Sequence, residues 1–252
     1  MNERELLDIL IRIGRAMTIY GAETYRVEDS LRRICAAYGH TEAEIFAVPS
    51  YIEMTVIRAD GTPVTRSCRI KHSDANLGRL DRYNSLSRYI CREMPSYEKV
   101  ISKIERTEKS PEYPRFMKCL GSFAAGAAFS LLFGGNWKDA AAAAAISGLV
   151  YLIGEYLDKI DSGTFMRGIC CSSVLTMLAV LSSWIGFTEG FDKVIIGGIM
   201  VLVPGVTMTN CMRDFLAGDY ISGMYRLAEA LLDAAGIAVG SGIVVAAAVT
   251  MK

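Results

Sequence analysis

Five stretches without a formal charge occupy the second half of this chain: 19 residues at 119–137, 15 at 140–154, 21 at 168–188, 19 at 194–212 and 18 at 234–251. An α-helix rises about 1.5 Å per residue, so roughly 20 predominantly apolar residues cross the hydrocarbon core of a bilayer. The last three runs come close to that length alone. The first two are marginal, although Tyr156 and Leu157 extend the second beyond Glu155. Turn-forming sequence at Gly134-Gly135-Asn136 and at Asp158–Thr164 separates them. The expected count is five spans, at about 117–134, 138–157, 168–187, 194–211 and 228–250, with four as the fallback. Small residues crowd these runs, as in Ala140–Ala145, Gly134-Gly135 and Gly197-Gly198, and such residues let helices approach closely in lipid. A soluble Ala/Gly-rich bundle is set aside because of the uncharged runs.

The overall formal charge of zero hides an uneven division. Residues 1–118 carry 20 of the 27 Lys and Arg and 17 of the 27 Asp and Glu. The expected fold is therefore an α+β cytoplasmic N-terminal domain, residues 1–115, followed by an all-α membrane bundle of about five transmembrane helices, residues 116–252. The N-terminus, Met1-Asn2-Glu3-Arg4-Glu5, bears both charge signs and lacks the apolar stretch of a signal peptide. Inner flanks would hold Lys109, Arg115, Lys118, Lys159, Arg167, Arg213 and Arg226; outer flanks would hold Lys138, Lys193 and Lys252. That excess predicts a multi-pass protein of the cytoplasmic (inner) membrane with its N-terminus in the cytoplasm.

The fourth run contains Pro204-Gly205. Proline removes a backbone donor and clashes with the preceding turn, and glycine loosens the helix further. In lipid, freed backbone groups persist only where protein or a water-filled cavity satisfies them. A broken span of this kind can form a transporter's substrate site, with a half-helix N-terminus facing an anionic group. A packing kink accounts for the same residues, and the sequence leaves both readings open. Thr207, Thr209 and Asn210 follow within about one and a half turns and could line a polar path. Asp214 and Asp219 could pair with Arg213 and Arg226. Glu229 and Asp233, spaced i, i+4, share a helix face at the entrance to the last span. Acidic groups at such depth are costly and are functional candidates; a solvated helix end facing the cytoplasm is the simpler account of them.

In the charged half, Leu6–Met17 has helical apolar spacing broken at Gly21, and a second helix is expected from Glu23 to Tyr38, closed by Gly39. Ile45–Val48, Tyr51–Arg58 and Pro63–Ile70 read as strands, the last two joined by a turn at Asp60-Gly61. Helices at about 75–92 and 96–108 follow, then a linker, Ser110-Pro111-Glu112-Tyr113-Pro114. Ser50, Ser67 or Ser73 with His72 or His40 makes a triad only on paper, because no nucleophile elbow or glycine-rich phosphate loop accompanies them. Glu23 and Arg26 fall in the first turn of the second helix, where capping and an internal ion pair account for them. The seven cysteines are scattered without a CxxC pair, and only two histidines are present. Reduced thiols are expected, with no disulfide framework, no metal site and no cofactor. Basic residues are balanced by acids, so no nucleic-acid partner is expected.

Gly14, Tyr20-Gly21-Ala22-Glu23-Thr24-Tyr25-Arg26-Val27-Glu28, Pro204-Gly205, Arg213-Asp214, Gly218-Asp219-Tyr220, Ser222-Gly223 and Arg226 together resemble the threonine/serine exporter family, in order and over nearly the whole chain. Fused members of that family have a cytoplasmic N-terminal domain and about ten spans; this chain resembles the first half. The resemblance implies the larger subunit of a split exporter, working with a smaller membrane protein that supplies a second set of spans. It implies secondary export of threonine, serine or a dicarboxylate such as succinate, driven by the membrane potential or a proton gradient. It puts Pro204, Gly205, Thr207, Thr209 and Asn210 at the substrate path, Asp214, Asp219 and Glu229 in gating or ion coupling, and Glu23 and Arg26 at a cytoplasmic gate or interface. Two other readings compete: a membrane-anchored enzyme whose N-terminal domain does the chemistry, and a scaffold subunit that never touches cargo. An odd number of spans cannot by itself give an inverted repeat, so besides membrane lipids a partner chain or a second copy is expected.

Overall fold

A computed structural model describes residues 1–58, 60–111, 113–160 and 163–251. Glu112 of the expected linker, part of the loop at 158–164 and the outer flanking charge Lys252 lie outside the described residues. Within them the chain forms ten helices and one three-stranded antiparallel sheet of order β1-β2-β3. It divides into two compact units.

Unit 1 joins residues 1–112 to residues 205–228. Its first part runs α1 (Glu3–Ile19), α2 (Thr24–Ala37), β1 (Ala43–Val48), β2 (Tyr51–Ile57), β3 (Pro63–Arg69), α3 (Leu77–Glu93) and α4 (Tyr97–Glu108). Leu6, Leu10, Ile13 and Met17 recur at three- and four-residue spacing on α1 and are fully buried, the pattern of one helix face turned into a core. Ile52, Met54 and Val56 alternate on β2 and point into that core with Val27, Leu31 and Ile34 of α2. Gly14 sits where a Cβ would lie 2.9 Å from Leu31 Cδ1, so its absence lets α1 close on α2. Asp60 Oδ1 accepts from the Thr62 N–H at 2.8 Å and from its hydroxyl at 2.6 Å, which fixes the turn between β2 and β3 by side-chain capping.

Unit 2 joins residues 113–204 to residues 229–252. It holds α5 (Arg115–Leu132), α6 (Trp137–Lys159), α7 (Thr164–Trp184), α8 (Phe191–Ile199) and the later turns of α10 (Tyr220–Thr250); α9 (Gly205–Ala217) belongs to unit 1. Small and hydroxylic residues make the contacts. Ser122 Oγ donates to the Ser147 carbonyl at 2.9 Å, Thr176 to Ser241 Oγ at 3.0 Å, and Ser173 to the Gly240 carbonyl at 3.2 Å. A Cβ on Gly236 would lie 2.7 Å from the Phe165 carbonyl oxygen. Larger apolar residues (Leu149, Leu152, Met177, Leu181, Val239 and Ile243) are exposed instead. Small residues inside and bulky apolar ones outside is the packing expected where the surroundings are lipid.

The expected α+β domain followed by a five-span bundle is corrected on two points. Among the described residues three helices are long and apolar enough to cross a membrane: α6, α7 and α10. The first expected span is α5, whose 18 residues include Arg115 and Lys118 in the opening turn. The fourth is split. α8 ends at Ile199 after nine residues, Val201 and Leu202 donate in tight turns to Gly198 and Ile199, and Pro204 precedes the 13-residue α9. Proline supplies no N–H to carry the ladder through, and neither piece is long enough to cross. Moreover the N-terminal unit is not a continuous domain, because α9 and the first turns of α10 return to it.

Candidate functional site

In unit 1 the polar residues of α9 and early α10 converge on the turn between α1 and α2. Gly21 adopts φ +88°, a left-handed conformation that suits glycine. The turn donates inward, Gly21 N–H to the Thr18 carbonyl and Ala22 N–H to the Met17 carbonyl. After the turn, α2 begins at Thr24 with Glu23 as N-cap but no side-chain cap bond. A helix start leaves backbone donors without partners. Here residues some 190 positions away supply them.

Asp214 Oδ1 accepts from the Thr24 N–H at 3.1 Å, and its Oδ2 accepts from Arg226 Nε at 2.9 Å. Arg226 Nη2 donates to the Ala22 carbonyl at 2.7 Å, and Asn210 Nδ2 donates to the Gly21 carbonyl at 2.9 Å. Asp214 is 0% exposed, Asn210 5% and Arg226 6%. Asp214 thus acts as an N-cap from another part of the chain, placing a carboxylate at the positive end of α2. Burial pushes its carboxyl above the ordinary aspartate range, against the opposing pull of Arg226 and the Thr24 N–H.

Glu23, 3% exposed, bridges two cations: Arg26 Nε at 3.1 Å, and Arg213 of α9. Burial would raise its carboxyl, but its own backbone N–H, Arg213 and Arg26 more than offset this and hold it below the ordinary glutamate range. Two acids and three arginines are therefore linked through one turn. A buried pair with every remaining donor matched is rigid, and removing one partner strands the other.

Of the residues singled out from the sequence, Glu23, Arg26, Asn210 and Asp214 meet here. Arg226 pairs with Asp214, whereas Arg213 turns to Glu23. Asp219, half-buried after Gly218 at φ +87°, donates its N–H to the Asp214 carbonyl. Its carboxyl is pushed up by burial and by Glu28, with Arg32 opposing. Thr209 is exposed, and its hydroxyl donates to the carbonyl of Gly205 in its own helix at 2.8 Å. Thr207 is half-buried and Gly205 exposed. Pro204 and Glu229 belong to unit 2. Sequence reasoning did not find the Gly21 and Ala22 carbonyls, because backbone acceptors carry no residue signature. The i, i+4 spacing of Asn210 and Asp214 was the available sign that both occupy one helix face.

The family profile described as "Putative threonine/serine exporter" matches residues 8–249. The chain is 28% identical over 244 residues to the "Probable threonine/serine exporter" of Mycobacterium tuberculosis, covering 95% of this chain and 46% of that protein. It is 23% identical over 249 residues to the "Threonine/serine exporter" of Corynebacterium glutamicum, covering 94% of this chain and 50% of that one. The chain thus spans about half the length of the curated relatives it matches. No solved structure matches. The profile takes in both the α1–α2 turn and the α9–α10 segment that meets it, together with the three apolar helices between and beyond; this membrane protein belongs to the threonine/serine exporter family.

Proposed function

We propose that this chain is one subunit of a secondary transporter that exports a small amino acid, threonine or serine, or a dicarboxylate across the cytoplasmic (inner) membrane. Its N-terminus lies in the cytoplasm. A smaller membrane protein supplies a second set of spans. The cargo path follows the polar stretch from Pro204 to Asn210, and the Glu23–Arg213 and Asp214–Arg226 links form the gate beside it, with Asp219 and Glu229 contributing to gating or coupling.

One observation carries this reading. The chain breaks at Pro204, and the helix that restarts there is held to the α1–α2 turn by buried charges. A helix restarting after a break presents free N–H groups and the positive end of its dipole, which suits the carboxylate shared by all three cargoes. Any displacement of α9 on cargo binding must break or strain the Asp214 cap, so α2 registers it.

Efflux of preloaded labelled serine, threonine and succinate from vesicles holding this chain, with and without the smaller partner, tests the proposal. Export should require both chains and should fall sharply in Asn210→Ala and Asp214→Asn. Absence of export for every cargo, with both chains correctly inserted, would refute it.

A further inference from the structure

Unit 1 carries a basic cleft that the proposed gate does not use. It lies between α3 and α4 and has a volume of about 410 Å³, within the range of small-ligand sites. Arg82, Ser85 and Tyr89 line it from α3, and Lys103, Arg106 and Ser110 line it from α4 and the residues just after. Spacing of i, i+3, i+7 on α3 and i, i+3 on α4 keeps each set on one helix face. Arg82 donates through Nη1 to Ser110 Oγ and through Nη2 to the Pro111 carbonyl at 3.4 Å. Lys103 Nζ sits 4.1 Å from the centroid of the Tyr89 ring, a cation–π contact. These partners hold Arg82 and Lys103 in place without cancelling their charge.

Arginines elsewhere in the unit hold carboxylates: Arg12 with Asp8, Arg32 with Glu28, Arg33 with Asp29 and Arg92 with Glu93, at 2.8–2.9 Å. Among the described residues no carboxylate forms an ion pair with Arg82, Lys103 or Arg106. Glu105 and Glu108 of α4 are exposed and do not line the cleft. We propose that the cleft binds the phosphate of an anionic phospholipid headgroup. Guanidinium groups match phosphate oxygens with paired N–H donors, and a lysine adds a point charge. The Ser85 hydroxyl supplies a further donor at the same wall.

The place of the cleft in the chain favours a lipid over a free phosphate. Four residues, 111–114, lead from Ser110 to the start of α5 at Arg115, and an extended chain advances at most about 3.6 Å per residue. In unit 2 Arg115 pairs at 3.0 Å with Glu155, near the end of α6, one of the helices long and apolar enough to cross a membrane. Phe116, Met117 and Leu120 are exposed beside Arg115 and Lys118. Charged and apolar side chains on the same turns suit the boundary between headgroups and hydrocarbon. Basic clusters flanking a membrane helix attract anionic headgroups. The lipid site goes beyond the export reading and does not depend on it.

The test places the full chain in phosphatidylcholine nanodiscs with increasing phosphatidylglycerol and follows hydrogen exchange at the amides of residues 103–110. Exchange there should slow as phosphatidylglycerol rises, and inorganic phosphate added to pure phosphatidylcholine discs should not reproduce the effect. One basic side chain near an anionic surface is worth roughly a fivefold preference. R106Q should therefore need about fivefold more phosphatidylglycerol for half the effect, and R82Q/K103Q/R106Q should lose the response. R33Q, which removes a charge outside the cleft, should keep it, and unchanged exchange at the α1 amides shows that each variant folds. Equal slowing by inorganic phosphate would assign the cleft to a soluble anion and overturn the lipid proposal. No slowing by either probe, a triple variant that responds as fully as the unmutated chain, or an equal loss in R33Q overturns the site itself. No arm measures cargo, so a failure of the export reading leaves the result intact.

Discussion

Replacing Arg226 by methionine keeps much of the side-chain volume and removes the charge. It deletes two bonds, Nε to Asp214 at 2.9 Å and Nη2 to the Ala22 carbonyl at 2.7 Å. Asp214, at 0% exposure, is then left without its counter-charge. Removing one partner of a buried pair costs about 3–5 kcal/mol, and a carbonyl left without a donor adds about 1–3 kcal/mol if water cannot reach it. The Thr24 N–H still serves Asp214 and offsets part of this, so about 3–5 kcal/mol is expected for the local structure. Hydrogen exchange at the amides of Thr24 to Val27 reads that loss where it occurs. Protection there should fall by roughly two to four powers of ten, at about 1.4 kcal/mol per tenfold, with the α6 amides unchanged. The double variant D214N/R226M removes the buried charge with its partner and keeps an oxygen to cap Thr24. It should recover most of the protection, since replacing both members of a buried pair is close to neutral. Protection in R226M within about 0.5 kcal/mol of the unmutated chain, or a double variant no better than the single one, would show that the pair does not hold α9 to α2.

Glu23 gives a pH dependence. Its folded carboxyl titrates below the ordinary value of 4.5, so its contribution is complete above that value and is lost as the pH falls through the lower folded one; thermal melting of E23Q should lack this acid-side component. Gly21→Ala forces a Cβ into a left-handed conformation at φ +88°, at ordinary contact distance from Ala75, whose Cα lies 3.7 Å away. A loss of roughly 1–2 kcal/mol is expected in chemical denaturation, from backbone strain rather than a clash. Gly236→Val places a Cβ 2.7 Å from the Phe165 carbonyl, which a backbone atom cannot evade. Overpacking of about 1–3 kcal/mol should separate α7 from α10, read as a lower melting temperature in detergent. An unchanged melt would mean that the two helices do not pack through their glycines.

Much of the local structure was legible because it is local. Three- and four-residue spacing on α1 reports its buried face, alternation on β2 reports the sheet, and Asp60-Gly61 names its own turn. The charge-free runs identified α6, α7 and α10, since apolar length is a property of the run itself. The same rule overcounted where it met Arg115 and Lys118 at the start of α5, and where the fourth run is interrupted before Pro204, leaving helices of nine and 13 residues on either side.

The sequence by itself determined most helices and strands of the N-terminal part, the three long apolar helices α6, α7 and α10, and the i, i+4 spacing that puts Asn210 and Asp214 on one helix face. Only the tertiary structure decided that this face caps α2 across some 190 residues, that Arg226 rather than Arg213 takes Asp214, and that residues 205–228 join the N-terminal unit. The physical reason is one of range. Periodicity and propensity act over one or two turns, whereas a helix start needs any acceptor of the right geometry, and chain topology alone brings it one.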